Sequence, residues 1–216
     1  MEYLFIDESG DPGHPSGSKY YAEVALQISG DHFSCLVHHS VAWRYIRRLT
    51  SEMKRLPRGH EMKPFLEPLS ELQQTGAIKC SCVYLTKDNY TGPYLKSDSP
   101  RGVNPVLFRN FVHRQLLEFH FSRYTQKYQN IELVFDRFEM TGEAIANLAS
   151  YLRGNLRLPN LKHITHADSL YVDALQIVSQ LVTVVKDVVL EQSDAAQLKL
   201  IEFIPMRDIT RVPREW

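Results

Sequence analysis

The chain has few features that would tie it to a special environment. Of its 216 residues only three are cysteines, Cys35, Cys80 and Cys82. An odd number without framework spacing argues against a secreted disulfide scaffold. Cys80 and Cys82 lie two apart in the strand-like stretch IKCSCVYL, so they share one strand face. No CxxC pair accompanies them, which speaks against structural zinc. Net charge is also missing. Lys+Arg and Asp+Glu both number 25, for a formal net charge of +0. That excludes a uniformly basic nucleic-acid binder but leaves room for a local basic patch. The most apolar segment, Leu170 to Leu190, is interrupted by Asp173, Gln176, Gln180, Lys186 and Asp187. It is too polar to span a bilayer. Acids at Asp7 and Glu8 argue against a signal peptide. There is no internal repeat and no low-complexity stretch. The expectation is one cytoplasmic domain over residues 1–216, long enough to bury roughly 70% of its unfolded surface.

What is present begins at the N-terminus, MEYLFIDESGDPG. Tyr3 to Ile6 is an apolar run that reads as a strand, and it stops at Asp7-Glu8. Ser9-Gly10-Asp11-Pro12-Gly13 then turns the chain. A buried strand ending in two acids brings charge to the rim of a sheet, where a metal or a general acid/base pair would sit. Alternatively, the acids are ordinary turn formers.

Further strands are expected over Tyr20–Ile28, Phe33–His39, 77–85, Ile131–Phe135, Leu161–Thr165 and Leu198–Ile204. Helices are expected from Ser40 to about Leu56, and over 65–74, 105–126, 141–152 and 172–191. Residues 86–104 form the longest irregular stretch, the kind of loop that often carries function. Three early strands followed by helix, strand, helix, strand predict an α/β ribonuclease H-like mixed sheet flanked by helices, with a C-terminal helix-strand extension. Element order alone does not give a function.

In that plan Asp7 and Asp136 both end apolar strands and project from one sheet edge. Two carboxylates meeting there repel unless a cation lies between them or one is protonated. Hard oxygen ligands suit Mg²⁺ or Mn²⁺, which can activate water against a phosphodiester. For Asp136 the alternative is a strand-end acid capping the next turn. A second cluster is GHEMK, where His60 and Lys63 lie three apart. They suit acid/base and phosphate roles, or form a solvated loop. A third is Asp168-Ser169 followed by a helix on which Asp173, Gln176, Ile177 and Gln180 share a face. Buried polar groups on that face need partners. Finally, residues 44–63 hold seven Lys/Arg (44, 47, 48, 54, 55, 58, 63) against two Glu. Arg47, Arg48 and Arg58 are the candidate phosphate contacts, the alternative being a solvated helix face.

The motifs YLFIDESGDPG at 3–13, GHEMK at 59–63, the strand-end Asp136 and the DS…LQ pattern at 168–176 together resemble the domain-of-unknown-function family numbered 3800. The resemblance covers nearly the whole chain. It implies a ribonuclease H-like fold and a metal-dependent nuclease or related phosphoryl hydrolase. It carries Asp7, Glu8, His60, Lys63 and Asp136 into the catalytic set and Gln176 into the last motif. Where that motif continues to a final Asp, this chain has Ser179 in LQIVSQLV. Asp173 or Asp168 would have to compensate. The expected function is therefore an Mg²⁺- or Mn²⁺-dependent phosphodiester hydrolase acting on nucleic acid. Asp7, Asp136 and Asp173 would hold metal, and Arg47, Arg48, Arg58 and Gln176 would meet substrate. The alternatives are a catalytically weak or inactive module that binds nucleic acid or a protein partner, and a hydrolase of a nucleotide-like small molecule.

Overall fold

The computed structural model describes residues 1–13, 17–49, 61–124, 130–136, 141–156, 161–190 and 195–211. Six strands, β1 (Glu2–Ser9), β2 (Tyr20–Ser29), β3 (Ile78–Thr86), β4 (Ile131–Asp136), β5 (Leu161–Ala167) and β6 (Met206–Asp208), form one sheet in the order β5-β4-β1-β2-β3-β6. β2 runs antiparallel to both of its neighbours, β1 and β3. β4 lies parallel to β1, β5 parallel to β4, and β6 parallel to β3.

The central strand β1 is apolar on both faces because both are covered. Phe5 packs into a layer with α1 (Phe33–Arg47), α2 (Met62–Gln74) and α5 (Asp173–Leu190), joined by Ile201 and Ile204 beyond α6 (Ala195–Leu200). Leu4 and Ile6 point the other way, into a layer with α3 (Pro105–Arg123) and α4 (Gly142–Asn155). Alternation along β1 thus sorts neighbouring side chains between two cores. α5 is the most deeply inserted helix. Its apolar positions from Ala174 to Val188 are buried, which accounts for its low polarity without a membrane. Among the described residues no helix is long and apolar enough to cross one.

Two sequence expectations are corrected. Phe33–His39 is not a strand but the start of α1, entered through a short 3-10 turn at Gly30–His32. Its buried residues are Leu36, Ser40 and Trp43, a helical spacing, whereas FSCLVHH alone reads equally well as alternating. Ser40, the expected start of the helix, therefore lies mid-helix. The third antiparallel strand is instead β3, reached after α1 and α2. At the C-terminus, 198–204 is not a strand. It holds the end of α6 and a turn that tucks Ile201 and Ile204 into the core, and the closing strand is Met206–Asp208.

The turn after β1 depends on one glycine. Gly10 has φ +110°, and a Cβ there would drive into the Tyr20 carbonyl oxygen. Replacing Gly10 by Ala should lower stability by roughly 1–3 kcal/mol, read by urea unfolding. An unchanged midpoint and slope would mean the turn is not constrained as described.

Candidate functional site

The parallel register of β1 and β4 pairs Ile6 with Phe135, so the next step brings Asp7 beside Asp136. Both acids fall on the α5 face, following Phe5 and Val134. They open into a cleft of about 640 Å³ lined by Asp7, Glu8, Asp11, Arg109 and Asp136 with the Ser9–Pro12 turn. Loss of water pushes the Asp7 carboxyl from 3.8 up to about 8, and the charges of Glu8 and Asp136 add to the rise. Two groups oppose it. The Glu8 amide donates to Asp7 Oδ1 at 2.8 Å, and Ser179 of α5 brings its side chain within hydrogen-bonding reach. Among the described residues no lysine or arginine pairs with Asp7.

Glu8 lies on the opposite face and solves its burial differently. Arg109 of α3 meets it at 2.8 Å from Nε to Oε1. Burial raises Glu8 while Arg109, then His113, pull it back. Its cross-strand partner is Glu23, a fully buried acid mid-way along β2. The Tyr21 hydroxyl donates to Glu23 at 3.1 Å, and Glu23 shares a hydrogen bond with His113 Nδ1 at 2.9 Å. Burial drives the Glu23 carboxyl well above the usual range and His113 down to about 4, so both favour their neutral forms. One guanidinium thus stands beside Glu8 and a Glu23–His113 pair that favours its neutral forms.

The carboxylate of Asp136 is held from the far side. The Ser169 amide donates to its Oδ1 at 3.0 Å. That amide belongs to a short turn, Ser169–Tyr171, capped by Asp168, whose Oδ1 accepts from the Leu170 amide at 2.9 Å. Buried Gln176 supports the same turn, its Nε2 donating to the Ser169 and Leu170 carbonyls at 2.8 and 3.2 Å. On the other flank, the nearly fully buried Lys87 reaches from beyond β3 to donate to the Gly13 carbonyl at 2.8 Å, tying down the turn after β1.

The structure therefore brings Asp7, Glu8 and Asp136 together. It does not bring Asp173 to them as a metal ligand, because Asp173 is engaged by the Arg44 guanidinium and by Ser40 Oγ at 2.7 Å, both on α1. Lys63 does not line the cleft as a catalytic residue. It pairs with Glu67 at 3.3 Å on the exposed face of α2. Gln176 is corrected from a substrate contact to a positioning residue, since its amide is buried and committed to the turn. Arg47 is likewise occupied, paired with Glu61 and lying 5.6 Å from the Trp43 ring centre. Arg48, the C-cap of α1, stays exposed. His60 and Arg58 lie outside the described residues. Arg109, Glu23, His113 and Lys87 were not singled out from the sequence. The signals were a lone acid inside YYAEVALQI and an arginine among the apolar positions of α3.

Among the described residues no group of three or more His, Cys, Asp or Glu is arranged to hold a metal ion. Two hard carboxylates facing one cleft, one of them buried without a cation, nevertheless suit a divalent ion whose other ligands come from water or substrate oxygens.

No family model matches the chain, and no curated protein matches it. Among solved structures it is similar to ribonuclease H2 from Pyrococcus horikoshii OT3, at 12% identity and a TM-score of 0.53. The likeness covers 87% of this chain and 72% of that one. At that identity it shows the fold, and the fold is ribonuclease H-like.

Two outcomes follow from the charge arrangement. The folded state keeps the Asp7 proton up to about pH 8, whereas the unfolded chain releases it near 3.8. The native state binds the extra proton throughout that window, so stability falls as pH rises across it and levels off above. Asp7→Asn should therefore gain on wild type with pH, by up to about 1.4 kcal/mol per unit. Urea unfolding in EDTA at acid, neutral and mildly alkaline pH reads the trend, and parallel curves would contradict it. Separately, Arg109→Met leaves Glu8 buried and unpaired and should cost about 3–5 kcal/mol. Adding Glu8→Gln should recover much of that loss in a double-mutant cycle, and strict additivity would argue against the pair.

Proposed function

We propose that the chain is a divalent-metal-dependent phosphodiester hydrolase acting on nucleic acid, with Asp7 and Asp136 at its centre. The observation that carries this reading is Asp7 itself. It is a carboxyl buried beside a second acid, uncompensated by any cation among the described residues, and turned into an open cleft. Such an arrangement is costly for a structural acid and useful for a site that receives positive charge. The ribonuclease H-like fold and the resemblance of YLFIDESGDPG and Asp136 to the family numbered 3800 agree with it.

In this reading Asp7 and Asp136 would hold Mg²⁺ or Mn²⁺. When bound there, the ion supplies an activated water and charge stabilisation at the phosphodiester oxygens. The protein's own part is positional. The Ser169 amide, backed by Gln176, aims Asp136. The Glu8 amide and Ser179 favour the ionised form of Asp7. Arg109 holds Glu8 at the cleft wall, and Lys87 fixes the turn that closes it. The surroundings withhold water from Asp7, so an arriving cation meets a ligand poorly matched by solvent.

A second reading, a weak or inactive module that binds nucleic acid or a protein partner, is favoured by one observation. Ser179 stands beside Asp7 where a further carboxylate would complete a three-acid set.

Mg²⁺ and Mn²⁺ should each raise the melting temperature of the wild type and leave Asp7→Asn unmoved. Hydrolysis of single-stranded, double-stranded and hybrid DNA and RNA substrates should fall at least about a hundredfold in Asp7→Asn and Asp136→Asn. Ser179→Asp should lose stability in EDTA and regain it with metal. A wild type that neither gains stability from either ion nor cuts any substrate would reject the hydrolase in favour of the second reading.

A further inference from the structure

Away from the cleft, a second cavity of about 340 Å³ opens where residues 93–101 meet α3 and α4. Tyr94, Arg101, Phe111, Arg114, Tyr151 and Asn155 line it. The segment carrying the first two is bound onto itself. The Asn104 amide donates to the Tyr94 carbonyl at 2.8 Å, and the Tyr94 amide to the Pro100 carbonyl at 3.3 Å. Held this way, Tyr94 and Arg101 both take left-handed backbone, with φ of 70° and 69°. Non-glycine residues adopt that conformation at a cost, and such strain collects at functional sites.

The strained loop sets a guanidinium at the cavity mouth. Arg101 Nη1 donates to the Tyr94 hydroxyl at 2.9 Å, and no carboxylate pairs with it among the described residues. From the other wall, Arg114 lies 5.3 Å from the Phe111 ring centre and 5.9 Å from that of Tyr151. Its counter-charge is Glu118, one turn along α3 at 3.5 Å and half-exposed, and Asn155 Oδ1 accepts from it at 3.4 Å. Two guanidiniums against one solvated carboxylate leave the cavity positive, and the aromatic rings give it flat apolar faces. That pairing suits a ligand carrying both an anion and a π-face.

We propose that this cavity holds one nucleotide of a single-stranded nucleic acid, with its phosphate between Arg101 and Arg114 and its base against Tyr151. The assignment rests on the reading of the chain as acting on nucleic acid. α3 contributes to both places, Arg109 at the cleft and Arg114 here.

The test uses the full chain in EDTA, with a fluorescein-labelled single-stranded oligodeoxynucleotide followed by anisotropy. Arg101→Gln and Tyr151→Leu should each weaken binding about tenfold. Arg101→Gln should also lower the slope of log affinity against log salt by about 0.7. Adenosine monophosphate should raise the melting temperature of the wild type and not that of Arg101→Gln. Arg101 is exposed, so this variant keeps the test valid if Tyr151→Leu fails to fold. Unchanged binding in Arg101→Gln, or no binding by the wild type, overturns the pocket whatever the hydrolysis assays show. Arg101-dependent binding in a protein that cuts nothing supports the pocket and overturns only the hydrolase.

Discussion

The cost of taking carboxyl groups out of water governs the carboxyl end of this sheet. Asp7 and Glu23 are buried and Glu8 largely so, side by side on the paired strands β1 and β2, and each is accommodated differently. Glu8 takes a guanidinium. Glu23 takes a tyrosine hydroxyl and an imidazole and favours its neutral form. Asp7, among the described residues, takes an amide and a serine beside it. α3 must lie where Arg109 and His113 meet the Glu8 face, and α5 must present Ser179 to the Asp7 face. The helical layers are placed by polar as well as apolar demands.

The opposite end of the sheet shows what a purely structural solution looks like. There Gln27 Nε2 donates to Glu2 Oε2 at 2.8 Å, His120 Nε2 bonds Gln27 Oε1 at 2.9 Å, and Ser81 Oγ bonds His120 Nδ1 at 2.8 Å. Burial pushes His120 down to about 3, so the chain of bonds runs between Glu2 and neutral groups. Every member has partners within the protein. At the carboxyl end of β1 the same sheet leaves one acid facing an open cleft. Glu2 and Gln27 also line a cavity, so what separates the two ends is partnering: the network there bonds member to member, whereas among the described residues no cation pairs with Asp7.

Much of this was legible in the sequence where a local pattern had one outcome. β1, β2 and β4 announced themselves as apolar runs, and the acids ending β1 and β4 marked the rim. Only the first half of α1 reads as a strand, because the seven residues of FSCLVHH satisfy both periods. Only the burial of Leu36, Ser40 and Trp43 across fifteen residues decides for a helix. Asp173, Gln176 and Gln180 were rightly placed on one helical stripe, but the stripe does not say what it meets. Arg44 on a distant helix claims Asp173, and a turn six residues upstream claims Gln176. Glu23 was visible as an acid inside an apolar strand, which foretells burial but not the identity of His113, 90 residues away. Partners that come from tertiary packing leave no trace in spacing.

The division of Asp7 and Glu8 between two faces also bears on assembly. The acidity of Asp7 is set by the layer that carries α5, and that of Glu8 by the layer that carries α3. Folding therefore meets the two acids from opposite sides: Asp7 loses water as the α5 face is covered, and Glu8 meets Arg109 as the α3 face is covered.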